Sequence, residues 1–131
     1  MLYWQNIQNK GKGVFSDTPI MKGDVIEICP VLPLSRSDAA IASTTNIDNY
    51  MIIWDDGSRC LAFGYCMLYN HSGDPNARFE EDSENQTLTL IALRAIPADE
   101  EICFDYTGKG RDLIFSDEQW LFADTMEPYV V

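Results

Sequence analysis

Turn-forming residues interrupt this chain about every ten positions, and no periodic stretch between them is long enough for an extended helix. That spacing predicts a mostly β fold built from many short strands, with one or two short helices. Leu2 to Ile7 reads as an edge strand, followed by a turn at Lys10-Gly11-Lys12-Gly13 and a short extended piece at Val14-Phe15. Asp24 to Leu32 alternates and ends among prolines, as a strand that stops abruptly does. Ser35 to Ala42 is permissive for a short helix, which Ser35 or Ser37 can cap. Tyr50 to Trp54 and Arg59 to Phe63 flank Asp55-Asp56-Gly57-Ser58, and a D-G turn between two apolar runs predicts a hairpin. Gln86 to Arg94 is apolar enough for a strand covered on both faces, Ile102 to Tyr106 gives another short strand, and Ser116 to Ala123 a terminal helix.

The 131 residues suit one core. The longest apolar stretches, Val25 to Pro33 and Tyr50 to Trp54, fall far short of the roughly 20 residues a bilayer-spanning helix needs. The first residues carry no basic region followed by an apolar one, so no signal or transit peptide is expected and the protein should stay inside the cell. Cys29, Cys60, Cys66 and Cys103 stand far apart without C-x2-C spacing, which predicts free buried thiols. With a single histidine beside them, no structural metal is expected. The net charge of -12 disfavours direct nucleic-acid binding, which depends on Lys and Arg at phosphates, and suits a basic partner. An acidic surface also simply keeps small proteins soluble, so charge alone does not decide.

Three segments carry candidate chemistry: Gly11-Lys12-Gly13-Val14-Phe15, then Asn70-His71-Ser72 with Pro75-Asn76 behind it, then Glu100-Glu101-Ile102-Cys103-Phe104-Asp105-Tyr106. Each has an ordinary explanation by itself. G-x-G without a third glycine and a following helix is no dinucleotide fingerprint, and a hairpin turn accounts for it. Asn70, His71 and Asn76 near Gly73 and Pro75 suit a turn, and Tyr106 could merely pack its ring at a strand end. Taken in order, however, with Lys22-Gly23-Asp24 and the L-R-x-I-x-x-x-E of Leu93 to Glu100 between them, the segments resemble the SET domain of protein lysine methyltransferases. The resemblance covers almost the whole chain.

That resemblance implies a β-clip-like SET fold, with small sheets around a C-terminal pseudoknot, over residues 1–110. Residues 111–131 would form an aromatic tail that closes the site. It further implies S-adenosylmethionine held by Gly11, Lys12, Gly13, Asn70 and His71, with Trp120 of the tail able to stack on the adenine. Tyr106 maps onto the catalytic tyrosine, Tyr50 onto an aromatic wall of the lysine channel, and Phe104 onto the Phe/Tyr position that governs methylation state. A Phe there leaves space for di- or trimethylation. Plain core packing is the alternative for both, a stronger one for Tyr50 than for Phe104. The cysteine-rich zinc modules of many SET enzymes are not expected here, so the chain looks like the compact viral and bacterial members, some of which are homodimers.

The activity this implies is methyl transfer from S-adenosylmethionine to a lysine of a basic protein, a histone tail being the natural substrate. A catalytically silent SET fold that binds basic peptides is the alternative, and an acidic chaperone of basic proteins a third reading. The joint presence of Asn70, His71 and Tyr106 favours the enzyme.

Overall fold

The computed structural model describes residues 1–54 and 56–105. Nine strands and a single α-helix form within those residues, in the order β1 (Leu2–Ile7), β2 (Gly11–Ser16), β3 (Val25–Leu34), α1 (Arg36–Ala42), β4 (Ile52–Ile53), β5 (Arg59–Ala62), β6 (Asn70–His71), β7 (Ala77–Asp82), β8 (Thr87–Ala92) and β9 (Cys103–Phe104). Two 3-10 turns, Asn46–Tyr50 and Cys66–Leu68, lie between them. The strands make three sheets: β1-β2, a five-stranded sheet in the order β4-β5-β3-β8-β7, and β6-β9. The mostly β expectation holds. The terminal helix expected at Ser116 to Ala123 and the tail 111–131 lie outside the described residues.

The core lies against the inner face of the five-stranded sheet. Cys29 and Val31 of β3, Cys60 and Ala62 of β5, and Leu88 and Leu90 of β8 are buried together. They pack on Val14 of β2, Tyr69, and Ile102 and Phe104 around β9. Leu88 and Leu90 are fully excluded from solvent, each worth about 1.5–3 kcal/mol of apolar transfer. On β8 the intervening Thr87, Thr89 and Ile91 are only half-buried. The expectation that this strand is covered on both faces is corrected: the small helix covers one end of the sheet only, where Ala39 packs with Met51, Leu34 and Leu61.

Local signals explain the elements found as expected. Ser35 caps α1 by accepting the Asp38 N–H at 3.0 Å. The hairpin β4-β5 closes around Gly57, whose N–H donates to the Trp54 carbonyl at 2.9 Å, as Trp54 N–H does to Ser58. All four cysteines are buried and none is in a disulfide.

Several boundaries differ from the sequence reading: β3 does not stop at Leu32 but runs through Pro33 to Leu34, both still paired with β5. The turn after β1 occupies residues 8–10, and Gly11-Lys12-Gly13 is already β2, paired with Ile7, Asn6 and Gln5. Gly11 takes φ +82° where the chain leaves the turn, and the pairing continues from it through Gly13. Tyr50 ends a 3-10 turn capped by Thr45, whose hydroxyl accepts the Ile47 N–H at 3.1 Å, and so does not begin a strand. The strand β7 was unanticipated: its exposed face carries Arg78 and Glu80, so charge obscures a buried Ala77 and a half-buried Phe79.

Candidate active site

The segment around β9 is inserted between two elements formed far earlier in the chain. On one side Ile102 bridges Val14 of β2, its N–H donating to the Val14 carbonyl at 2.9 Å. On the other side β9 runs parallel to β6, Asn70 opposite Cys103 and His71 opposite Phe104. Strands of two residues contribute little by themselves. Side-chain hydrogen bonds hold them, and Asn76 supplies three. Its amide donates to the Glu101 carbonyl at 2.8 Å and to Glu100 Oε2 at 3.1 Å, while its Oδ1 accepts the Cys103 N–H at 2.8 Å. Asn76 is 3% exposed, and its bond to the Cys103 N–H forms away from water.

This insertion brings the G-x-G and N-H segments together. Asn70 Nδ2 donates to the Lys12 carbonyl at 3.0 Å and to Glu101 Oε2 at 2.6 Å. Lys10 Nζ reaches the other oxygen, Glu101 Oε1, at 3.0 Å. That contact raises the Lys10 pKa, through the hydrogen bond first and the carboxylate charge second. Gly13 is a close-approach position: a Cβ there would overlap Ile7 Cδ1 and lie 2.8 Å from Glu101 Oε2 and 3.3 Å from Asn70 Nδ2. The bare Cα leaves room there for the ends of the Ile7, Glu101 and Asn70 side chains, which a Cβ would push aside.

A second group surrounds Phe104, which is 5% exposed. Tyr69 and Phe79 both meet its ring edge-on, with centroids 6.2 and 5.4 Å away. Beside it His71 Nδ1 stands 3.7 Å from Asp105 Oδ1.

Of the residues singled out in sequence, Lys12, Gly13, Asn70, His71 and Phe104 thus gather about the β6-β9 pair. Gly11 sits at the start of β2, opposite Ile7. Tyr50 is half exposed, and its position on a 3-10 turn was not anticipated. Tyr106 and Trp120 lie outside the described residues. Glu101, Asn76, Phe79 and Tyr69 were missed as site residues. Asn76 and Glu101 stood inside the quoted motifs, but nothing local distinguishes a buried crosslink from a turn or a surface charge. Among the described residues, no group of three or more His, Cys, Asp or Glu is placed to hold a metal ion.

Parallel pairing of an N-H strand with a C-terminal strand threaded beside a G-x-G strand defines the class. The SET domain matches residues 11–107. A histone-lysine N-methyltransferase of Schizosaccharomyces pombe, specific for histone H3 lysine-37, is 34% identical over 115 residues, 87% of this chain and 76% of the relative. A Plasmodium falciparum protein described as a histone methyltransferase superposes with a TM-score of 0.63 at 30% identity, covering 81% of this chain and 96% of that one. The Neurospora SET domain protein DIM-5 shares the fold, with a TM-score of 0.63 at 22% identity over 82% of this chain and 52% of its own. The chain belongs to the SET-domain family of protein lysine methyltransferases.

Proposed function

We propose that the protein transfers a methyl group from S-adenosylmethionine to a lysine of a basic protein, a histone being the substrate class. The observation that carries this reading is the convergence of Lys12, Gly13, Asn70 and Glu101 beside the β6-β9 pair. Both N–H bonds of the Asn70 amide are committed, so its oxygen remains to accept from a ligand's amino group. That oxygen, with the Glu101 carboxylate nearby, fits a ligand bearing an ammonium and a sulfonium, while Lys10 offers a cation for the ligand's carboxylate. When bound, S-adenosylmethionine supplies an electrophilic methyl carbon on sulfur.

The chain's own residues must align a lysine nitrogen with that carbon and exclude water, and alignment alone can supply much of the acceleration. A free lysine has a pKa of about 10.4, so presenting it as the neutral amine near pH 7 costs roughly 4–5 kcal/mol. Burial against Phe104, Tyr69 and Phe79 disfavours the ammonium form and lowers that cost. Tyr106, two residues past Phe104, is the catalytic residue in this reading, its hydroxyl orienting the amine. A phenol of pKa about 10 is a poor base at neutral pH, which favours orientation over proton abstraction. Tyr50 would form a wall of the lysine channel, and Trp120 would close over the adenine. The acidic surface, with a net charge of -12, draws a basic segment and makes encounter salt-dependent.

Two measurements test the proposal together. Saturating S-adenosylmethionine should raise the unfolding temperature, because a ligand held only by the folded state stabilises it. Labelled cofactor with a histone panel should give a labelled band that Tyr106→Phe weakens about 100-fold without changing the unfolding temperature. No thermal shift and no label would overturn the reading; a basic-peptide complex without label would mark a silent binding module.

A further inference from the structure

Glu27 is a carboxylate at the rim of the apolar core with two committed partners. One oxygen accepts the Tyr69 hydroxyl at 2.8 Å, and the other accepts the Tyr65 N–H at 2.9 Å. The second oxygen lies against bare backbone at Gly64, where a Cβ would stand only 2.5 Å away and where φ is +82°. Glycine is thus required there twice, by conformation and by the approach of the carboxylate. Glu27 belongs to the middle strand of the five-stranded sheet, whereas Tyr65 and Tyr69 bracket the 3-10 turn that leads into Asn70-His71. The carboxylate therefore ties the sheet to the segment that carries the candidate cofactor residues.

The tie continues to the candidate substrate site. Tyr69 is 1% exposed, and its ring meets Phe104 edge-on. An ordinary buried Tyr at this position would need only some acceptor for its hydroxyl. This one has an acceptor whose other oxygen is fixed by a second bond to the Tyr65 N–H, so the hydroxyl is held to a point that does not follow it when the ring turns. Burial and the neighbouring Glu27 charge both push the Tyr69 phenol up, so it remains a donor throughout the working pH range.

We infer that Tyr69 and Glu27 are positioning residues that fix the Phe104 ring and thereby set how many methyl groups the enzyme adds to one lysine. The inference rests on the methyltransferase reading for its consequence, though not for its geometry. An anchored Tyr69 ring keeps Phe104 from yielding, so the space beside it has a fixed width. Without the anchor the ring can retreat, and the space admits a bulkier, already methylated amine.

The test compares Tyr69→Phe with Glu27→Gln in the full chain. Tyr69→Phe keeps the ring and removes the anchor. Glu27→Gln keeps both links, because the amide oxygen can accept from Tyr65 N–H while its NH2 donates to the Tyr69 oxygen, and removes only the charge. Two readouts are taken. Aromatic NMR of Phe104 should show ring flipping about tenfold faster in Tyr69→Phe, the factor expected for losing a hydrogen bond to a charged group, and close to wild type in Glu27→Gln. Mass spectrometry of a methylated histone peptide should show the ratio of more to less methylated product rising by a similar factor, about tenfold, in Tyr69→Phe alone. Unchanged flipping in folded Tyr69→Phe overturns the anchor whether or not the protein transfers methyl. Faster flipping with an unchanged product ratio overturns its role in specificity, and a Glu27→Gln ratio matching that of Tyr69→Phe overturns the tether in favour of charge. Wild type that methylates nothing sinks the methyltransferase reading itself, and the flip rates still decide the anchor.

Discussion

Asn76 Oδ1 accepts the amide hydrogen of Cys103 at 2.8 Å, a bond that spans 27 residues of sequence and forms in a buried setting. With the two bonds its amide donates to the 100–101 segment, this side chain substitutes for the long ladder that β9 lacks. Asn76→Ala should therefore destabilise the fold by about 2–4 kcal/mol, since it strands a buried N–H and a carbonyl. Urea unfolding measures it. Asn76→Asp should cost at least as much, because a carboxylate cannot donate to the Glu101 carbonyl and adds a charge beside Glu100. A loss under about 0.5 kcal/mol would mean that surface-like interactions hold the strand.

Gly13→Ala probes the convergence of three segments. Its new methyl would overlap Ile7 and crowd Glu101 and Asn70, so overpacking should cost about 1–3 kcal/mol. The displaced Asn70 should also weaken cofactor binding, read as a smaller thermal shift with S-adenosylmethionine than wild type gives. The same substitution at Gly73, where a Cβ meets nothing, should leave that shift unaltered.

Phe104→Tyr tests the methylation-state expectation. The ring is enclosed by Tyr69, Phe79 and the sheet, so an added hydroxyl takes space from the amine's side or must find a partner within it. Mass spectrometry of a histone peptide should show the product moving towards monomethyl-lysine. A product distribution identical to wild type would remove Phe104 from the lysine channel.

Cys103 gives a pH prediction. Burial, followed by the Glu101 charge, raises its thiol from 9.0 to about 11, with Lys10 partly opposing. A raised folded-state pKa means that the folded protein keeps the proton longer than the unfolded chain does. The associated stability is fully present below about pH 9 and is lost as pH rises through about 11. Unfolding midpoints should fall more steeply between these values in wild type than in Cys103→Ala, and iodoacetamide should label Cys103 slowly at pH 8. Parallel slopes in the two proteins would contradict the shift.

Much of the secondary structure was legible because its determinants are local. Ser35 at the head of α1, the D-G turn between β4 and β5, and the alternation of Leu88, Leu90 and Ala92 each act within a few residues. The three motif segments were also legible, and their order along the chain sufficed to indicate the family. β7 escaped notice since four of its six residues are charged, and the 3-10 turn ending at Tyr50 since its cap leaves only a weak signal.

What the sequence determined by itself was the inventory: short strands, the small helix after Ser35, buried thiols, and the G-x-G, N-H and E-E-I-C-F-D-Y segments. Which of these touch was decided only by tertiary structure. Glu101 reads as one acid among 21 until the fold sets it 2.6 Å from the Asn70 amide, and Glu27 reads likewise until it receives the Tyr69 hydroxyl. The physical reason is that hydrogen bonds and close approach depend on distance in space. Periodicity and turn chemistry report only what neighbouring residues along the chain prefer.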